Sequence, residues 1–152
     1  MTSAPEPSSE DVRKQGNDLY KAGNFLAATE CYRRAAELAP SEAAPLSDIS
    51  AAYYELGDYG ACYTTAASAL ELRSYGTEPA RQKLYLRQVR SSIYDRKLDQ
   101  ARKVVGQLSP GKDRTALEEC IWAYKRSMNL MPDSKAAHTK IVLELPRYKP
   151  QV

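Results

Sequence analysis

The sequence repeats itself at an interval of 34 residues. Gly23-Asn24-Phe25 recurs as Gly57-Asp58-Tyr59. The same shift carries further small and apolar residues onto residues of similar kind, namely Leu19 onto Tyr53, Ala28 onto Cys62 and Ala35 onto Ala69. Between these points the chain reads as one helix after another, interrupted by turns that contain glycine or proline. The interval therefore predicts an all-α stack of helix-turn-helix units, with small residues where two helices cross closely.

A third unit follows the first two with looser spacing. Leu98 and Ala101 align with Tyr59 and Cys62 at an offset of 39 residues, five more than the interval. We place the extra residues in "RSYGTEPARQ", as a longer loop or an extended helix before the third unit.

A seventh helix is predicted from Thr115 to Met131. Its apolar residues recur at helical spacings of 4, 3 and 4 and are Leu117, Ile121, Tyr124 and Met128. Such a stripe caps a stack by covering the exposed face of the last unit. The predicted organisation is a disordered lead-in over 1–8, a domain over 9–131 with repeats at 9–42, 43–76 and 82–110 and the cap at 115–131, and a tail or the start of a further domain over 132–152.

The residue types within the interval resemble the tetratricopeptide repeat family over roughly residues 9–129. Six residues of the first unit fall on the consensus of that family: Gly16, Leu19, Ala28, Tyr32, Ala35 and Pro40. The resemblance implies an α-solenoid of three repeats plus a C-terminal capping helix. It also implies that the first helix of each repeat lines a concave groove that holds an extended peptide.

Polar residues of these first helices form a recognisable set. Arg13 and Asn17 are four residues apart, and Lys83, Arg87 and Arg90 follow at spacings of 4 and 3, so each group shares a helix face. The set is similar to the dicarboxylate clamp of co-chaperone tetratricopeptide domains, which holds the acidic C-terminal tail of Hsp70 or Hsp90. The resemblance assigns Arg13 to a clamp lysine position, Asn17 to a clamp asparagine, and Lys83 with Arg87 to the third-repeat pair.

Asp48 departs from that clamp. It falls where the family has a second-repeat asparagine, and an ionised aspartate offers only acceptors and repels a ligand carboxylate. The alternative is that Asp48 belongs to a helix N-terminus and pairs with Arg87 or Arg13. The candidate peptide-binding residues are Arg13, Asn17, Asp48, Lys83, Arg87 and Arg90.

Three functions are compatible with these features. The first is a protein-interaction module whose partner carries an acidic peptide or C-terminal carboxylate. The second is a structural scaffold within a larger protein, whose groove holds an intramolecular or other segment; "SDISAAYYELGDY" shows a weaker resemblance to N-terminal repeats of large fungal multidomain proteins. The third is single-stranded nucleic-acid binding through Arg81, Lys83, Arg87 and Arg90 with Tyr85 and Tyr94, against which the balance of 22 basic and 19 acidic residues argues.

Other classes lack their signatures. A single histidine, His138, gives no catalytic triad, the seven glycines form no phosphate loop, and three separated cysteines form no zinc site, so we expect neither enzymatic activity nor a cofactor. The odd, dispersed cysteines Cys31, Cys62 and Cys120 suit reduced thiols and predict a cytoplasmic or nuclear protein. No apolar run is long enough to span a bilayer, so no membrane association is expected.

Overall fold

The computed structural model describes residues 5–72, 76–130, 145 and 148–152. Within these residues the chain forms seven helices and no strand. The helices are α1 (Ser9–Lys21), α2 (Phe25–Leu38), α3 (Ala43–Leu56), α4 (Tyr59–Glu71), α5 (Glu78–Tyr94), α6 (Leu98–Val105) and α7 (Lys112–Leu130). The predicted all-α class is confirmed.

Consecutive helices pack in pairs that form a stack. α1 packs on α2, α3 on α4, and α5 on α6, while α2 against α3 and α4 against α5 join one pair to the next. α7 packs on α6 and α5 at the end of the stack. The predicted arrangement of three helix-turn-helix repeats and a capping helix is therefore confirmed.

The glycine of each early turn explains the self-match in the sequence. Gly23 and Gly57 have φ values of 80° and 75°, a left-handed conformation that costs glycine little. The residue after each glycine caps the second helix, because the side chains of Asn24 and Asp58 each accept a hydrogen bond from the backbone N–H of the third residue of α2 and α4. The repeated Gly-Asn and Gly-Asp pairs are thus turn-and-cap signals.

The third turn has neither a glycine in the left-handed conformation nor a side-chain N-cap. Arg96 occupies the left-handed conformation with φ 61°, and Lys97 precedes α6 without a side-chain capping bond. The Arg96 Nε instead donates to the Tyr124 hydroxyl on α7 at 3.1 Å. The third turn is therefore held by a tertiary contact where the first two are held locally.

The five extra residues of the third unit lengthen both the loop and the helix. α5 has 17 residues where α3 has 14, and the link from α4 to α5 is longer than that from α2 to α3. α5 begins at Glu78, ahead of the aligned repeat start at 82, because Pro79 is compatible with the first turn of a helix. α7 likewise begins at Lys112, three residues before the position expected for the cap.

The apolar stripe of α7 closes the core at this end. Leu117, Ile121 and Tyr124 are buried, and Met128 is half-buried. They cover a cluster formed by α5 and α6 that includes Val89, Ala101 and Val105, which Leu145 also joins. Each repeat is thus covered by the next element along the stack, as an all-helical array requires.

The chain ends are described only in part. Ser8 lies outside α1 as its N-cap, with a reciprocal bond to Asp11, so the last residue of the predicted lead-in has a defined role. Most of the predicted tail over 132–152, including His138, lies outside the described residues. No helix among those described is both long and apolar enough to cross a membrane.

Candidate functional site

The first helices of the three repeats, α1, α3 and α5, are joined by polar contacts. We call the face that carries Arg13, Asp48, Arg87 and Arg90 the groove. Arg13 of α1 contacts Asp48 of α3, and Arg87 of α5 contacts the carbonyl of Ser47. The stacking of the repeats therefore brings Arg13, Asp48 and Arg87 together, and Asn17 and Arg90 lie one turn beyond Arg13 and Arg87 on their own helices.

Asp48 is paired with Arg13. The Arg13 Nε donates to Asp48 Oδ2 at 2.6 Å, and its Nη1 donates to Glu10 at 2.6 Å. Burial raises the pKa of the Asp48 carboxyl, and the Arg13 guanidinium acts in the opposite direction. Of the two interpretations open from the sequence, the structure has the ion pair, so Asp48 faces a cation of its own chain.

Arg87 is fully buried, with 1% of its surface exposed. Its Nη1 donates to the Ser47 carbonyl at 2.7 Å and to Ser50 Oγ at 2.6 Å, which ties α5 to α3. A buried guanidinium is costly unless its donors are used, and these bonds supply that compensation. Arg87 therefore combines a structural role with donors directed into the groove.

Asn17 bonds a side chain of its own repeat, and Lys83 lies apart from this cluster. The Asn17 Oδ1 accepts a hydrogen bond from the Tyr32 hydroxyl at 2.9 Å, which orients the asparagine amide. Lys83 is exposed and lines a depression between α5 and the loop ahead of α7, together with Leu86 and Pro110. Among the described contacts none joins Lys83 to the Arg13–Asp48 pair.

Residues 148–152 lie in the groove and form no helix, strand or turn. The Tyr20 hydroxyl donates to the Pro150 carbonyl at 3.1 Å, and Arg87 Nη2 donates to the Gln151 carbonyl at 3.3 Å. The Arg87 Nε also contacts the Tyr148 hydroxyl at 3.4 Å. Side chains of the first and third repeats thus bind the backbone of this segment directly.

An aromatic cluster holds the first residue of the segment. The rings of Tyr54 and Tyr148 meet edge to face with centroids 5.1 Å apart, and the Arg90 guanidinium lies 4.8 Å from the Tyr148 ring centre. The Tyr54 ring also contacts Tyr59 and Tyr94, which stack on each other at 4.9 Å. Burial raises the pKa values of Tyr54 and Tyr20, so both hydroxyls stay protonated and able to donate.

Tyr20 and Tyr54 of the groove were not among the site residues predicted from the sequence. Tyr20 and Tyr54 are separated by the repeat interval of 34 residues and stand near the C-terminal ends of α1 and α3. Tyr94 ends α5 in the same way. A tyrosine recurring at the end of every first helix, in a chain with 11 tyrosines and one phenylalanine, was the available signal.

The described part of the chain gives little support for a metal site or a nucleophilic cysteine. No group of three or more histidine, cysteine, aspartate or glutamate side chains there is arranged to hold a metal ion. Burial raises the pKa of the Cys62 thiol to about 12, so this cysteine is a small core residue rather than a nucleophile.

Comparison with known proteins identifies the fold. No protein-family model matches the sequence. Among solved structures, the first tetratricopeptide domain of Spaghetti (RPAP3), bound to the HSP90 peptide SRMEEVD, shares 19% identity over 88% of this chain and 89% of that chain, with a TM-score of 0.56. The second tetratricopeptide domain of human RPAP3, in complex with the HSP70 peptide SGPTIEEVD, shares 17% identity over 90% and 92%, with a TM-score of 0.56. The Arabidopsis OM64 domain shares 18% identity over 91% and 97%, with a TM-score of 0.57. The chain has the tetratricopeptide repeat fold.

Proposed function

We propose that this chain is a protein-interaction module that binds an extended peptide segment in the groove. The observation that carries the proposal is the position of residues 148–152, which contact side chains from the first helix of every repeat. Tyr20 comes from α1, Tyr54 from α3, and Arg87 and Arg90 from α5. An extended chain suits this face because its carbonyls are free to accept bonds from fixed donors.

We propose further that the partner carries an acidic C-terminal segment, of the kind found in HSP70 and HSP90 tails. Two of the structures similar to this chain contain such peptides. Arg87 donates to a backbone carbonyl of the segment in the groove, and the Arg90 guanidinium lies against the Tyr148 ring of that segment. Both cations therefore face the position of the ligand, and Lys83 adds an exposed cation on the same helix, which favours a carboxylate-bearing ligand. Asp48 opposes it, and its ion pair with Arg13 reduces the repulsion by supplying a cation at 2.6 Å.

Titration of the full chain with the peptide SRMEEVD, bearing a free or an amidated C-terminus, tests this proposal. We expect the free carboxylate to bind about tenfold more tightly, and Asp48→Asn to strengthen its binding about fivefold because an amide donor replaces an acid. Arg90→Ala should weaken binding because it removes a cation that faces the groove, whereas Lys103→Ala, which removes an exposed lysine from α6, should not.

Two results would contradict the proposal at different levels. Equal affinity for the free and amidated peptides, together with no gain from Asp48→Asn, would remove the carboxylate part. Absence of any response to groove substitutions would remove the groove as the binding site.

The second candidate is a scaffold within a larger protein whose groove serves an intramolecular segment. It is favoured by the same observation, because residues 148–152 belong to this chain. Saturable binding of a free peptide to the full chain distinguishes an interaction module from such a scaffold.

A further inference from the structure

The segment in the groove presents every second side chain to the protein. Tyr148 and Val152 are half-buried and Pro150 is buried, whereas Lys149 and Gln151 are exposed. This alternation is the pattern of an extended strand that lies on a surface with one edge of side chains inward. The groove therefore distinguishes three positions of a bound segment and leaves two in solvent.

The first position accommodates an aromatic ring. The Tyr148 ring meets the Tyr54 ring edge to face and has the Arg90 guanidinium over it, at centroid distances of 5.1 and 4.8 Å. The Arg90 Nε also donates to the Tyr54 hydroxyl at 3.4 Å, so the two walls of the site hold each other in place. A ring face is needed opposite the cation, which an aliphatic side chain does not provide.

The middle position suits proline. Pro150 is buried beside a cavity lined by Tyr20, Phe25 and Glu55, and its carbonyl accepts the Tyr20 hydroxyl at 3.1 Å. The Tyr20 and Phe25 rings meet edge to face at 5.1 Å, which fixes the apolar wall. Proline carries no backbone N–H, so its burial leaves no donor without a partner.

The third position accommodates an aliphatic side chain. Val152 packs against the core cluster of the first two repeats, which includes Tyr20, Tyr32 and Ile49. Between the second and third positions the Gln151 carbonyl accepts from Arg87 Nη2, which sets the register of the segment.

We infer that the groove selects a segment of the pattern aromatic-x-proline-x-aliphatic, and that Tyr148–Val152 is an intramolecular copy of this ligand that a partner segment must displace. The inference rests on the proposed function, because it names the ligand pattern of that same groove. A tethered segment acts at an effective concentration on the order of millimolar, so a free peptide of equal intrinsic affinity competes poorly with it.

Fluorescence anisotropy with a labelled, C-terminally amidated peptide of sequence YKPQV tests the inference on the full chain. Amidation removes the carboxylate, so any binding reports the side-chain pattern. We expect Tyr148→Ala to bind this peptide at least tenfold more tightly than the unsubstituted chain, because the tethered copy loses its anchor.

Two substitutions in the same segment serve as matched controls. Tyr148→Phe keeps the ring against Tyr54 and Arg90 and loses only the 3.4 Å contact of the hydroxyl with Arg87, and Lys149→Ala changes only an exposed side chain. Both should therefore bind the peptide much more weakly than Tyr148→Ala. Peptides with alanine in place of the aromatic or the aliphatic residue should lose at least tenfold in affinity for the Tyr148→Ala chain. Circular dichroism of each variant reports its fold, and Pro150→Ala provides a second way to weaken the tethered copy.

The outcomes separate this inference from the proposed function. If YKPQV binds no variant, or a scrambled peptide binds equally well, the inference is overturned. If SRMEEVD nevertheless binds and responds to Asp48→Asn or Arg90→Ala, the proposed function stands without the pattern. If neither peptide binds any folded variant, both are overturned.

Discussion

The role of a buried charged side chain in this protein depends on the groups that it contacts. Asp48 lies where a clamp would have an amide, yet the Arg13 guanidinium 2.6 Å away makes it part of a pair between two repeats. Arg87 is more buried still, and its donors divide between Ser47, Ser50 and the groove segment. The same residue types that predicted a ligand site thus also join α3 to α1 and α5.

Gly16 is required by a close approach of α2. A Cβ atom added at Gly16 would lie 2.6 Å from Cε1 of Tyr32, whose side chain is fully buried and hydrogen-bonded to Asn17. We expect Gly16→Ala to lower the free energy of unfolding by about 1–2 kcal/mol, because overpacking outweighs the better helix propensity of alanine.

Gly60→Ala is the matched control for that substitution. Gly60 is also helical, but a Cβ there would come no closer than 3.9 Å to another heavy atom. Urea denaturation should show that Gly60→Ala raises the free energy of unfolding by up to about 1 kcal/mol. A loss of similar size for both variants would contradict the explanation from the Tyr32 contact.

At the scale of the element, the second helices of the repeats differ in whether a side chain caps their N-terminus. α2 and α4 have Asn24 and Asp58 as N-caps, whereas α6, the shortest helix with eight residues, has Lys97 and no side-chain capping bond. The only described partner of the Lys97 ammonium is the Asp95 carboxylate, in an exposed pair. Such pairs contribute little compared with a capping bond.

Lys97→Asn should therefore stabilise α6. We expect the free energy of unfolding to rise by about 0.5–1 kcal/mol, since a new cap outweighs the loss of an exposed ion pair. Thermal denaturation followed by circular dichroism measures the change. Lys97→Ala, which loses the ion pair without gaining a cap, should not be stabilised, and equal behaviour of the two variants would refute the capping argument.

At the scale of the whole molecule, stability depends on each repeat being covered by the next. α7 completes this series through Leu117, Ile121 and Tyr124, which pack on α5 and α6. Contacts in such stacks are mostly between neighbouring repeats. A substitution that destabilises α7 should therefore destabilise the third repeat before the first and second.

Ile121→Ala tests this expectation. Removing a buried isoleucine should cost about 2–5 kcal/mol and should raise amide hydrogen exchange in α6 and α7 before that in α1 and α2. Trp122→Ala, one residue further along the same helix, changes a side chain that is 64% exposed and should cost less than about 0.5 kcal/mol. Uniform exchange along the whole chain would instead indicate a single cooperative unit.

The groove segment also belongs to this scale, because residues 148–152 reach the first helix of every repeat. Tyr20 and Tyr148 are 128 positions apart by their numbers in the sequence, and no local pattern links them. Only the folded stack brings the end of the chain over α1, α3 and α5.

The architecture follows from local sequence properties, because helix period, turn glycines, N-caps and small residues at helix crossings recur every 34 residues. The sequence also indicated which helices carry the polar face, since Arg13 and Asn17, or Lys83 and Arg87, share a helix face whatever the tertiary fold. The tertiary structure alone decided that Arg13 pairs with Asp48, that Arg87 is buried, and that Tyr148, Pro150 and Val152 occupy the groove. These outcomes depend on distances between residues far apart in the chain, and therefore on packing that no periodicity encodes.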